Sequence, residues 1–175
     1  MRNLLIFMLA LAPWLGAAEL SVTQGSVTAH TEVFGDSTID PSTTAVTAQL
    51  SMGDTPESIT GTVTVAVTGL ASDNTDRDEH MHEAIASKSF PEATYTFTSV
   101  TANDQGYAIE GTMTLHGVSK PVTLQATLTD SGDTLAMKGS GTILMSDFGI
   151  EPPTLLFLTV RDQVDLAFDV TFAKQ

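Results

Sequence analysis

The chain has 175 residues, no cysteine, and 21 acidic against 7 basic residues, for a formal net charge of −14. That length suits one domain, and a hydrophobic fraction of 42% is too high for a disordered chain. The charge excludes a basic surface for nucleic acid and disfavours docking on anionic lipid, while the missing cysteine excludes disulfides, thiol catalysis, cysteine-held metals and a lipidated cysteine anchor.

The first element is a targeting segment, not part of the fold. Arg2 supplies a positive start, Leu4 to Leu15 form a short apolar run, and Gly16-Ala17-Ala18 offers the small residues that a signal peptidase reads. The run is too short to span a bilayer comfortably. Cleavage after Ala18 is expected, so residues 1–18 are a signal peptide and 19–175 one domain in a periplasmic or secreted protein. The mature chain of 157 residues then carries −15 and loses Trp14, the only Trp.

Beyond Ala18 the chain reads in period two. Weaker runs cover Val22–Thr31 and Val46–Met52. From Ile59 to Val67, Ile59, Gly61, Val63, Val65 and Val67 alternate with Thr60, Thr62, Thr64 and Ala66. A polar interruption follows from Ser72 to Ala93, with a short helix predicted over Glu79–Ser87 and Asp76 or Asp78 as its cap. Alternation resumes with Tyr95 and Phe97 among threonines, then with Tyr107, Ile109, Gly111, Met113 and Leu115. Val122, Leu124, Ala126 and Leu128 form the next apolar face, Leu135–Met145 a weaker run, and Val164, Leu166, Phe168, Val170 and Phe172 the last. Such runs mark strands with one apolar and one wet face, and threonine suits the wet one. Asn103–Gly106, Asp130–Asp133 and Gly117–Pro121 read as hairpin loops, the proline sitting at a strand start. About eight antiparallel strands in an all-β chain must hide their apolar face in a sandwich or a barrel. Gly61, Gly111, Gly139 and Gly141 fall in step with the apolar faces and favour a barrel, either by allowing strong bending or by leaving volume for a guest.

Two stretches resemble hallmarks of the YceI family. They are Arg77-Asp78-Glu79-His80-Met81 with Ser89 to Val100, and Gly111 to Leu124 around Gly117-Val118-Ser119-Lys120-Pro121. Ser146-Asp147-Phe148-Gly149-Ile150 and Val164-Asp165-Leu166 are similar to the family's ending, whereas the stretch before Ile59 departs from its pattern. The resemblance implies a lipocalin-like, extended eight-stranded antiparallel barrel, usually exported, that encloses a long isoprenoid or amphiphilic chain, and it implies no catalytic residues.

Candidate chemistry points the same way. Asp78, Glu79, His80, His82 and Glu83 are the one dense set of metal-ligand types, but on a helix residues two apart diverge by about 200°, so no metal site is assigned. His30 and His116 lack a partner in any motif, no G-x-S-x-G elbow occurs, and no residue is nominated as catalytic. Val63, Val65, Phe97, Met113, Leu115, Leu124, Ile143, Phe148, Phe157, Leu166 and Phe168 are the expected apolar lining, with Arg77, Asp78 and His80 at the rim. Pro152 to Leu158 offers a second rim. The expected function is an exported carrier of a polyisoprenoid or similar long-chain lipid, for example a quinone tail. A fatty-acid or amide binder of the same fold, or a non-catalytic interaction module with a packed core, stays open, as does a homodimer. No cofactor is expected beyond a bound isoprenoid or quinone-like lipid.

Overall fold

The computed structural model describes residues 16–33, 37–155 and 158–175. The expected targeting run up to Leu15, with Trp14, lies outside them, as does Phe157. In chain order the elements are β1 (Ala18–Val33), β2 (Ser37–Ile39), β3 (Ser42–Thr43), β4 (Val46–Met52), β5 (Thr60–Ala66), α1 (Thr75–Ala84), β6 (Glu92–Asn103), β7 (Gly106–Leu115), β8 (Val118–Asp130), β9 (Thr134–Leu144), β10 (Thr154–Leu155), β11 (Leu158–Thr159) and β12 (Gln163–Lys174). Short 3-10 turns occupy Pro56–Ser58, Val67–Gly69 and Met145–Phe148.

Eight of these strands close an antiparallel barrel in the order β1, β4, β5, β6, β7, β8, β9, β12, and β12 returns to β1 from Leu20↔Lys174 to His30↔Asp165. The closing ladder excludes a sandwich and pairs the two terminal strands of the sheet with each other. β2 and β3 pair with the later part of β1, and β10 with β11 forms a separate small hairpin. Beginning the chain at Glu19 would cost β1 only the pair Ala18↔Met52.

The period-two pattern becomes register. Ala48, Val63, Tyr95, Met113 and Lys120 lie opposite one another across five strands on the inner face. Gln49, Thr62, Thr96, Thr112 and Pro121 form the neighbouring outer row, where the Thr62 and Thr96 hydroxyls bond at 3.0 Å. Turn chemistry fixes the hairpins. β7 and β8 are joined by His116-Gly117 alone, both at positive φ (53° and 75°), the two-residue geometry that matches strand twist. The predicted loop over Gly117–Pro121 is therefore too long, and Pro121 sits inside β8 opposite Thr112. In a two-residue hairpin the closing pair Leu115↔Val118 exchanges hydrogen bonds, so the third pair out, Thr112↔Pro121, does not. The missing proline N–H then faces away from β7, and no ladder bond is lost there.

The helix also differs from expectation. It starts four residues earlier, at Thr75, because the Asn74 side chain caps it by accepting from Arg77 N at 3.0 Å. Asp78 is not the cap; it turns back to accept from Ser72 N at 2.8 Å and Ser72 Oγ at 2.6 Å. Ala86 at φ 46° ends the run.

Two apolar clusters fill the interior unevenly. Call the end with the Asp104-Gln105 turn the turn end, and the end with α1 the helix end. Toward the turn end Leu20, Leu50, Met52, Ile59, Ile109, Leu135 and Phe172 are nearly or fully buried. Near the helix end a smaller cluster gathers Ile143, Met145, Phe148, Ile150 and Val164. The in-step glycines serve this packing, and the expectation that they leave volume for a guest is corrected at three of them. A Cβ on Gly111 would lie 2.5 Å from Tyr95 Cζ, one on Gly139 2.5 Å from Phe168 Cζ, and one on Gly141 would collide with Leu124 Cδ2. Each glycine is the seat of a large side chain from another strand. Tyr95 crosses Gly111 and shares its one hydroxyl proton between Val122 O at 2.8 Å and Ile109 O at 3.0 Å, which ties β6, β7 and β8 together. Burial raises the Tyr95 hydroxyl's pKa, so it stays a donor.

Gly111→Ala should therefore overpack the Tyr95 ring and cost about 1–3 kcal/mol, read as a lower urea midpoint at unchanged slope. Tyr95→Leu in the same chain should recover part of that loss, so the two changes together cost less than their sum. Strict additivity would contradict the contact.

Candidate ligand-binding site

Inner-face apolar side chains fall into two groups by exposure. Toward the turn end most are sealed, Ile109 and Phe172 being 0% exposed, although Val22 and Tyr107 there are half-buried. Toward the helix end, Val27 and Ala29 of β1, Ala48 of β4, Val63 and Val65 of β5, Met113 and Leu115 of β7, and Leu166 and Phe168 of β12 are only half-buried. The upper half of the barrel is thus bounded by apolar groups whose burial is incomplete, above a packed floor. Met113 and Val122 touch both clusters and mark the join.

The expected lining set divides along this line. Val63, Val65, Met113, Leu115, Leu166 and Phe168 are half-buried, while Phe97, Leu124, Ile143 and Phe148 are packed into the clusters at 8%, 8%, 7% and 1% exposure. Val27, Ala29 and Ala48 escaped the sequence reading, because weak alternation in β1 and β4 hides which face is apolar, while Val122 was placed on an apolar face but left out of the lining set. Lys120 escaped it too. Extending the face of Val122 and Leu124 two residues back places Lys120 on the inner side, where it is half-buried.

The rim residues anchor α1. Arg77 donates from Nη2 to Asp73 Oδ1 at 2.8 Å and from Nη1 to the Thr38 carbonyl of β2 at 3.2 Å. Just past the helix, Ile85 packs into the cluster of Ile143 and Phe148. These two attachments carry the α1 segment from the β5–β6 side to β2 and to the second cluster. Desolvation opposes ionisation of Asp78, but the two bonds from Ser72, with His82 and Arg77 nearby, hold its carboxyl below the usual range. His80 is exposed. Among the described residues no group of three or more His, Cys, Asp and Glu could hold a metal, and no helix is long and apolar enough to cross a membrane.

The two remaining histidines are structural. His116 accepts or donates nothing in a catalytic pair; its Nδ1 lies 3.2 Å from the Phe148 carbonyl and its ring meets Phe90 edge-on at 4.9 Å. His30 Nδ1 lies 2.5 Å from Asp40 Oδ1, joining β1 to the segment between β2 and β3. This hydrogen bond raises the His30 pKa and lowers that of Asp40, and Glu32 and Asp165 add to the histidine's shift.

The sign follows from linkage. A raised histidine stabilises the fold fully below its unfolded value near 6.5 and loses that contribution as pH rises through its folded pKa. The depressed Asp40 contributes above its unfolded value near 3.8 and loses it as pH falls through its folded pKa. The pair should be strongest between those limits. In an NMR titration His30 should titrate above 6.5, and Asp40→Asn should bring it back down; an unchanged midpoint in that variant would contradict the bond.

Comparison with known proteins agrees with this architecture. A family model described as the YceI-like domain matches residues 19–172. Protein YceI of Escherichia coli O6:H1 is 36% identical over 97 residues, 51% of each chain, so the match spans about half the length of that curated relative. BcnA of Burkholderia cenocepacia superposes with a TM-score of 0.73 at 18% identity, covering 84% of this chain and 95% of that one. A polyisoprenoid binding domain from Saccharophagus degradans superposes at 0.62 and 11% identity, covering 89% and 98%. At such identities the structural likeness is one of fold. With a family match over nearly all of the chain beyond Ala18, this protein belongs to the YceI family.

Proposed function

We propose that the barrel carries a polyisoprenoid or similar long-chain lipid, such as a quinone tail, outside the cytoplasm after residues 1–18 are removed. The observation that carries this reading is the half-buried apolar wall of Val63, Val65, Met113, Leu115, Leu166 and Phe168 above a sealed floor. A greasy chain lying against that wall would complete its burial. At about 0.8 kcal/mol per buried CH₂, each isoprene unit would contribute roughly 3 kcal/mol before binding costs. Three or four enclosed units would offset the losses of association and give micromolar affinity or better. Half-buried Met113 adds a side chain that adapts to irregular guests. The fold shared with a polyisoprenoid binding domain supports the class of ligand.

Native mass spectrometry of the exported protein should show one long-chain lipid per barrel, released by organic extraction. Val65→Trp should fill the space and lower affinity for a retained isoprenoid by about tenfold, roughly 1.4 kcal/mol, with the fold still secreted and cooperative. A protein that yields no lipid, and whose isoprenoid binding is indifferent to Val65→Trp, would contradict the proposal.

A further inference from the structure

The barrel wall is not uniformly laced. β8 and β9 pair from Asp130↔Leu135 up to Gln125↔Ser140, and there the ladder stops. Beyond it β8 runs on to Val118 with only β7 as partner, and β9 runs on to Leu144 with only β12. The same register, continued, would set Pro121 opposite Leu144. Pro121 turns its donor-less nitrogen to that side, as its place in the β7–β8 hairpin requires, so the sequence itself blocks the ladder there. A cleft of about 200 Å³ occupies the gap.

Its lining is unusual in one respect. Val122, Ile143 and Phe148 give an apolar floor, and Val122 also packs with Met113 on the inside of the barrel, so cleft and interior share a wall. Leu144, 40% exposed, stands at the lip. Lys120 lines the same cleft, half-buried, and among the described residues its ammonium forms no ion pair. Asp147 borders the cleft but is not within 4 Å of it in a salt bridge. In a chain with 21 acidic residues, a half-buried cation with no carboxylate partner is out of keeping with the surroundings. The stem of Lys120 is covered while its ammonium stays accessible at the cleft, where an anion brought to it would be held by charge, and an amphiphile can bring one.

We infer that the β8–β9 cleft receives the head group of an anionic long-chain lipid, a phosphate or carboxylate bound at the Lys120 ammonium, with the tail passing over Val122 into the upper barrel. This rests on the carrier reading above and assigns its head-group chemistry. Asp147, on the other side of the cleft, opposes the anion and sets a limit on affinity. The overall negative charge does not forbid the contact, because beyond roughly 8–10 Å it is screened at ordinary salt.

The test compares lipids with one tail and different heads: geranylgeranyl phosphate, geranylgeraniol and inorganic phosphate, each titrated into delipidated full-length protein by calorimetry, with oleate as the carboxylate arm. Geranylgeranyl phosphate should bind about tenfold more tightly than the alcohol, and inorganic phosphate alone should not bind. Lys120→Met should abolish that preference and leave alcohol binding unchanged, Lys120→Arg should keep it, and Asp147→Asn should increase it. Oleate following the same pattern assigns the site to anions in general; oleate binding that ignores Lys120→Met restricts it to phosphate. Equal binding of phosphate and alcohol by the unaltered protein, or a preference that survives Lys120→Met, would overturn the head-group assignment and leave the carrier reading standing. If neither isoprenoid binds, both fall.

Discussion

The interior of this barrel is organised by one crossing contact, the Tyr95 ring laid over Gly111. Eight strands leave a space that side chains can just fill, so the placing of a few large ones decides how much is left. Tyr95 reaches across β7 because Gly111 has no Cβ, and its hydroxyl ends at carbonyls of β7 and β8. Phe168 over Gly139 and Leu124 against Gly141 repeat the device on β9. Below these residues the core is sealed; Val63 and Met113, the cross-strand neighbours of Tyr95, belong to the half-buried wall. The same packing that gives the fold its floor therefore sets the lower limit of the space a ligand could use.

Charge is distributed to match. Three of the seven basic residues form ion pairs along the strands, Lys138 with Asp169, Lys174 with Asp130, and Arg161 with Asp165 and Glu32. The pairs of Lys138 and Arg161 are exposed and individually weak. Arg77 is used to fasten the helix segment to β2. Lys120 alone stands on the inner face within a break in the wall, and its neighbour Pro121 has no N–H to offer across that break.

Much of the architecture could be read from alternation, since period two over seven or more residues leaves few alternatives to a half-buried strand. Val46–Met52 was placed to the residue, and Leu135–Met145 differs from β9 by one position at each end. The closed barrel, the single helix and the family resemblance were legible for the same reason. What was not legible depended on partners distant in sequence. A glycine in an apolar row shows that something comes close, but not whether it is a guest or a tyrosine sixteen residues earlier. The helix start turned on whether Asn74 or an aspartate would cap it, and Asp78 had a competing offer from Ser72. Lys120 carried a signal, its place in step with Val122, that its charge led one to discount. Of the expected lining residues, Phe97, Leu124, Ile143 and Phe148 are used up in packing, which depends on partners that the sequence order does not display.

The most direct test of the central claim is a crystal structure of the protein purified with its native ligand. The account expects continuous density for a chain in the upper half, touching Val63, Met113, Leu166 and Phe168 and stopping above Tyr95. An upper half closed by its own side chains, or holding only ordered water with no chain, would contradict it.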